Sequence, residues 1–246
     1  TDNFFSVVVT QSNGIVVEDM VIGVTLLSGA VRQNLAQLGS VPAGILIRNG
    51  RAYVINTFSN NIQIFDINQN PPVQTGSITL PPSSGPIDMA FLDDTTAYVA
   101  NNIGQSVAVV NVQTLQCETL FISPEDMGTT TPCTNVINVL PDTFEEPAGV
   151  AVANGKVFIS NNNLDPNFSP NGNGFITVIN PVLNLVQGTI NASGANTSTM
   201  IVIDDTIYAL NNGNVLFDTE TFEFTCDIEF PPSLDLISST TDSVFD

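Results

Sequence analysis

Short apolar runs, broken by Gly, Asn, Asp and Pro, recur along the whole chain and carry no helical period. The clearest stretch is PAGILIRNGRAYVINTFSNNIQIFD, Pro42 to Asp66. It predicts a strand over Gly44 to Ile47, a tight Asn49-Gly50 turn and a strand around Tyr53-Val54-Ile55. A polar turn at Ser59-Asn60-Asn61 and a third strand over Ile62 to Phe65 follow. An Asn-Gly pair between alternating apolar runs signals a hairpin because both residues take positive φ cheaply. Val73 to Leu80 reads as a fourth strand before Pro81-Pro82. Glu146 to Phe158, EPAGVAVANGKVF, then repeats Pro42 to Tyr53 almost position for position.

Laid along the chain, this unit marks four-strand repeats over about 42–80, 86–140, 147–190 and 196–230. An aromatic marker recurs at Tyr53, Tyr98, Phe158, Tyr208 and Phe245. Units of roughly 40 to 50 residues with four short strands each are the period of a β-propeller; a sandwich would not repeat one unit in order. The fourth unit takes Val215 to Asp218 and Phe222 to Phe230 as its last two strands. Pro232 to Phe245 then matches Pro86 to Tyr98 and stops, while Thr1 to Glu18 holds two apolar runs around Ser12-Asn13-Gly14, with Met20 to Leu27 a further strand. The expectation is therefore an all-β propeller of five four-stranded blades, its closing blade shared between 232–246 and 1–27. Shared closure removes exposed strand edges. The same complementarity between molecules, through 1–18 and 232–246, would join identical subunits head to tail into a filament.

The runs AYVIN (Ala52 to Asn56) and AYVAN (Ala97 to Asn101), followed by NIQIFD and SVAVVN, resemble the YVTN family of β-propellers. Phe158-Ile159-Ser160-Asn161 and Tyr208-Ala209-Leu210-Asn211 are looser versions. The motif marks blades and not active residues. The resemblance implies a secreted or surface-layer protein, although members of that family usually carry seven blades.

Composition narrows the role. Only Arg32, Arg48, Arg51 and Lys156 are basic, against 24 acidic residues, for a formal net charge of −20. Such a surface repels phosphate backbones and anionic lipid, which argues against binding to nucleic acid or a membrane surface. No apolar run approaches the roughly 18 to 20 residues needed to span a bilayer, so no membrane insertion is expected. Only 11% of residues are charged, so the polar surface is largely Asn, Thr, Ser and Gln, which suits an extracellular or cell-surface location. A chain beginning at Thr1 suits a processed exported protein. Cys117 and Cys133 bracket a Pro/Thr/Gly-rich loop and are candidates for a local disulfide, with buried reduced thiols as the alternative; Cys226 is then left over.

There is no His, which removes Ser-His-Asp, Cys-His and His-metal chemistry, and the single Lys makes Schiff-base or P-loop chemistry a poor fit. No catalytic activity is expected on this ground, and no cofactor. Carboxylate pairs stand at Asp93-Asp94, Glu145-Glu146 and Asp204-Asp205, the first and last at positions equivalent to Asn49-Gly50, where turn chemistry explains them. The loop DPNFSPNGNG alternates Asp165, Asn167, Ser169 and Asn171, as in the early part of a calcium loop, but has Pro170 and Ile176 where an EF-hand needs Gly and Glu. Glycosylation sequons occur at Asn167, Asn191 and Asn196. Ser123 to Glu146 is the largest insertion and a candidate partner surface. The expected function is structural or adhesive, through protein–protein contacts or a surface glycan or protein ligand. The alternative is a carbohydrate-binding or glycoside-acting propeller using acidic residues and Ca²⁺.

Overall fold

The structure, a computed structural model, describes residues 5–10, 20–25, 30–32, 35–126, 131–218 and 223–245, and all regular structure among them is strand. β1 (Phe5–Thr10), β2 (Met20–Thr25) and β3 (Ala30–Arg32) form a three-stranded first sheet. The second holds β4 (Pro42–Arg48), β5 (Arg51–Asn56), β6 (Asn61–Asp66) and β7 (Val73–Thr79) as a meander. The third runs through β8 (Pro86–Phe91), β9 (Thr96–Asn101), β10 (Ser106–Asn111) and β11 (Gln116–Ile122), and adds β12 (Asn135–Asn138) parallel to β11. The fourth holds β13 (Pro147–Ala153), β14 (Lys156–Asn161), β15 (Phe175–Asn180) and β16 (Leu185–Asn191). In the fifth, β17 (Thr197–Ile203) and β18 (Thr206–Asn211) are followed by a detached hairpin, β19 (Val215–Asp218) with β20 (Glu223–Cys226). The sheet then resumes with β21 (Ser233–Ser238) and β22 (Ser243–Val244).

The turns follow from their residues. Asn49-Gly50 and Asn154-Gly155 take φ of 49° and 72°, and 48° and 69°, the left-handed pair that matches strand twist in a two-residue hairpin. Asp204-Asp205 do the same at 47° and 61°. At Asp93 the carboxylate instead accepts the backbone N–H of Thr95 (2.7 Å) and Thr96 (2.8 Å), an Asx turn, while Asp94 pairs with Arg48 of the second sheet at 2.7 Å. The pairing of first and second strands shifts register at Pro42/Gly44, Pro86/Asp88, Pro147/Gly149 and Thr197/Met200, the same irregularity at the same place in successive sheets.

The sheets stack face on face, giving a propeller-like arrangement. First strands pack in the order β4, β8, β13, β17, with β1 beside β4. A second strand is thus covered on both faces, which is why its apolar residues are consecutive and do not alternate. In β5, Tyr53 and Ile55 join the core shared with the third sheet, and Ala52 and Val54 face the other way, toward Leu38. In β9, Ala97 and Val99 look back while Tyr98 and Ala100 look forward to the fourth sheet. In β14, Val157 and Ile159 look back and Phe158 forward to the fifth. Tyr98, Phe121 and Phe158 are fully buried in these interfaces, each contributing about 1.5–3 kcal/mol by area removed from water. Gly149 permits the close approach of β13 and β17, since a Cβ there would collide with the Ser198 carbonyl oxygen.

The C-terminal segment departs from the sequence expectation. Ser233–Ser238 is the third strand of the fifth sheet, paired antiparallel with Thr206–Asn211 from Ser233↔Asn211 to Ser238↔Thr206. It does not open a closing blade with the N-terminal strands, which form their own sheet. The reason is the quality of the two candidate third strands. Ile237 is buried in the core shared with the fourth sheet. The buried Asp235 carboxylate accepts N–H groups from Asn211 (3.1 Å) and the Ser193 backbone (2.8 Å). Val215 and Leu216, read from the sequence as that third strand, stay exposed on the hairpin. With Ser233–Ser238 already paired, strand complementation between molecules through 232–246 loses its free strand. The expected Ser12-Asn13-Gly14 turn lies outside the described residues.

Candidate functional site

A cleft of about 720 Å³ opens beside the fourth sheet, on the side where second strands end and third strands begin. Asp142, Glu145 and Glu146 come to it from the segment leading into β13. Asn163, Leu164, Asp165, Pro166 and Asn171 come from the β14–β15 loop, and Phe175 from the start of β15. The segment is pinned by its backbone: Asn161 accepts the Glu145 N–H through its side-chain oxygen (3.0 Å), and Gln105 accepts that of Glu146 (2.7 Å). The loop is pinned in return, because the Glu145 and Glu146 carbonyls accept the N–H groups of Asn163 (3.2 Å) and Asn162 (3.3 Å). The Glu146 carboxylate accepts the Leu164 N–H at 2.9 Å and the Gln105 amide at 3.3 Å.

These contacts give the two neighbouring carboxyls different environments. Glu146 is tied into the scaffold by neutral donors. Glu145 is pushed up to about 7, first by burial, then by the negative charges of Glu146 and Asp142, and it shares a hydrogen bond with the Asp142 side chain. Asp126, nearby, is also raised, by burial and by the charges of Glu125 and Asp142. The cleft therefore presents one carboxyl that exchanges a proton near neutrality, in the company of two further acidic side chains, Glu146 and Asp142.

Two features separate in the sequence meet here: the Glu145-Glu146 pair and the 165–174 loop. Asp93-Asp94 and Asp204-Asp205 remain at hairpin turns. Within the loop, Asp165 has a local task. Its carboxylate accepts the N–H groups of Ser169 (2.9 Å) and Asn167 (2.8 Å), which hold it below the usual carboxylate range. Asn171 donates its N–H to the Asn163 carbonyl at 2.9 Å, closing the loop. Asp165, Asn167, Ser169 and Asn171 are thus joined by turn geometry, and among the described residues no group of three or more His, Cys, Asp or Glu is placed to hold a metal. Asn167 and Asn191 are exposed, whereas Asn196 is half-buried, its amide donating to the Gly213 carbonyl at 3.3 Å. Cys117 and Cys133 are joined by a disulfide, with Cα atoms 4.5 Å apart, and Cys226 is a free, exposed thiol. Asp142 carried no signal in the sequence, since only the folded path of 139–146 brings it to Glu145.

No protein-family model and no curated protein matches the sequence. Solved structures do share the fold. One is hydrazine synthase of Kuenenia stuttgartiensis, at 15% identity and TM-score 0.57, covering 86% of this chain and 50% of that one. A second is a functionally unknown protein of Desulfotomaculum acetoxidans, at 13% and 0.56, covering 98% and 67%. A third, from Bacteroides uniformis, is named "putative 6-phosphogluconolactonase", at 12% and 0.59, covering 96% and 72%. The chain thus spans half the length of the first. At these identities the likeness is one of fold: all-β and propeller-like, with the YVTN resemblance carried no further. The third neighbour also corrects the expectation that no catalytic activity belongs here. A structure named as an enzyme shares this architecture without making this chain one, so the fold gives no ground for excluding catalysis.

Proposed function

We propose that the protein is a structural module of the cell exterior, its sheets stacked as five propeller blades, acting through protein–protein contacts as a cell-surface, surface-layer or filament subunit. The observation that carries this reading is the outer face of the fifth sheet. Ile201, Ile203, Leu210, Leu234 and Leu236 stand exposed on adjacent strands in register, a contiguous apolar surface of the kind that marks an interaction site. The charge-poor composition and the Cys117–Cys133 disulfide suit an oxidising exterior. Sedimentation velocity together with electron microscopy of the native protein tests the reading. Concentration-dependent assembly or ordered arrays are the expected result, and a protein that stays monomeric at all concentrations and salt levels refutes it.

A second reading rests on the acidic cleft. Glu145, half-protonated near neutrality in a cleft that Glu146 and Phe175 also line, is suited to a hydroxyl-rich ligand such as a sugar, which could be bound or acted on there. Oligosaccharide binding or hydrolysis that is lost in Glu145→Gln would support it. Equal behaviour of the wild type and that variant would remove it.

A further inference from the structure

The recurring aromatic shows what the fifth sheet lacks. In β5, β9 and β14 the marker residue, Tyr53, Tyr98 or Phe158, points forward and is buried against the sheet that follows. In β18 the equivalent residue is Tyr208. Its back-facing neighbours Ile207 and Ala209 are buried against the fourth sheet, as the repeat requires. Tyr208 itself is only half-buried and Leu210, beside it on the forward face, is exposed. Register places Ile201, Tyr208 and Leu236 side by side across β17, β18 and β21, with Leu210 opposite Leu234. Ile201 is 54% exposed and Leu236 38%. The sheet therefore carries the forward face of a repeat, and among the described residues no further sheet lies on it.

We infer that this face docks the first sheet, β1 to β3, of a second copy of the chain. β1 (FSVVVT) and β2 (MVIGVT) carry no charge and are apolar at consecutive positions, the pattern of strands covered on both sides. β1 lies beside β4 of its own chain, while the forward face of the fifth sheet stays open although the first sheet is present in the same molecule. The first sheet, built from uncharged apolar strands, and the open forward face of the fifth are thus the two ends of the stack. A contact of first sheet on fifth sheet is heterologous, so it propagates into a ring or a filament. It joins molecules face on face, by side-chain packing, and needs no free strand. With −20 on each copy and none of the named face residues charged, long-range repulsion opposes the contact, so added salt strengthens it.

This inference rests on the assembly reading above and specifies its surface. The test is the double variant Ile201→Glu/Leu236→Glu against wild type, by sedimentation velocity at low and high salt, with circular dichroism of dilute protein. Val182→Glu, at an exposed aliphatic position between β15 and β16, is the control. The wild type and the control should assemble, more strongly in salt. The double variant should fold normally and associate about a hundredfold more weakly or less. Mixed into wild type, it should shorten the assemblies, because its intact first sheet still seats on a neighbour and caps the growing end. A double variant that fails to fold when dilute overturns the inference, because the face is then covered within one chain. A double variant that assembles like wild type also overturns it, yet leaves the assembly reading standing on another surface. A wild type that never assembles removes both.

Discussion

Adjacent residues on β21 give a sharp test of where the C-terminal segment pairs. Ile237 is fully buried between the fourth and fifth sheets, and Leu236, its neighbour, is 38% exposed on the opposite face. Ile237→Ala removes three buried carbons, about 2.4 kcal/mol at ~0.8 per methylene, and the cavity left in a stacked interface adds about 1 kcal/mol. The loss should be about 3–4 kcal/mol, or a fall in Tm of about 10 °C for a chain of this size. Leu236→Ala should cost about 1 kcal/mol or less in dilute, unassociated protein, and Val215→Ala on the exposed β19 less still. Urea and thermal denaturation of the three variants at low concentration supply the comparison. Equal or reversed losses at 236 and 237 would mean that the strand sits one residue out of the assigned register, since such a slip exchanges the two faces. A large loss at Val215 would return 215–218 to the sheet and sink the assignment altogether.

Two further outcomes follow from the fold and the cleft. Glu145 is raised in the folded protein from its ordinary 4.5 to about 7, so the stability present below pH 4.5 should decline as pH rises toward 7 and the carboxyl ionises. With much of the side chain in solvent, the decline attributable to this group is about 1 kcal/mol after allowance for screening. Glu145→Gln should flatten that part of the stability–pH curve, and an unchanged slope from pH 4.5 to 7 would contradict the assigned environment. Reduction of the Cys117–Cys133 bond, or Cys133→Ser, releases a loop of sequence separation 16 and should lower stability by about 3 kcal/mol, read as a fall in Tm of about 6–12 °C; an unaltered Tm in reductant would refute it.

The cleft shows how far residue types reach. Glu145-Glu146 is visible as a carboxylate pair and the 165–174 loop as an insertion, but nothing in their spacing joins them. The N–H contacts that pin the two segments to each other are long-range in sequence and belong to the fold. The raised proton affinity of Glu145 is likewise tertiary. It depends on burial and on Asp142, which the chain path brings into hydrogen-bonding contact.

The local repeat is legible in the residues alone: all strands, antiparallel meanders, Asn-Gly turns with positive φ, and second strands too apolar to face water on either side. These follow from backbone conformational cost and from the period-2 pattern, both of which act over a few residues. Long-range packing selected which of two similar segments completes the last sheet. Val215–Asp218 and Ser233–Ser238 are both short strands, the first after the polar turn at 211–214 and the second after Pro231-Pro232, and their propensities do not separate them. The choice went to the segment whose Ile237 fills the interface with the fourth sheet and whose Asp235 finds its N–H donors at Ser193 and Asn211. Burial and hydrogen-bond satisfaction across distant residues made that selection, and it leaves the apolar forward face of the fifth sheet open.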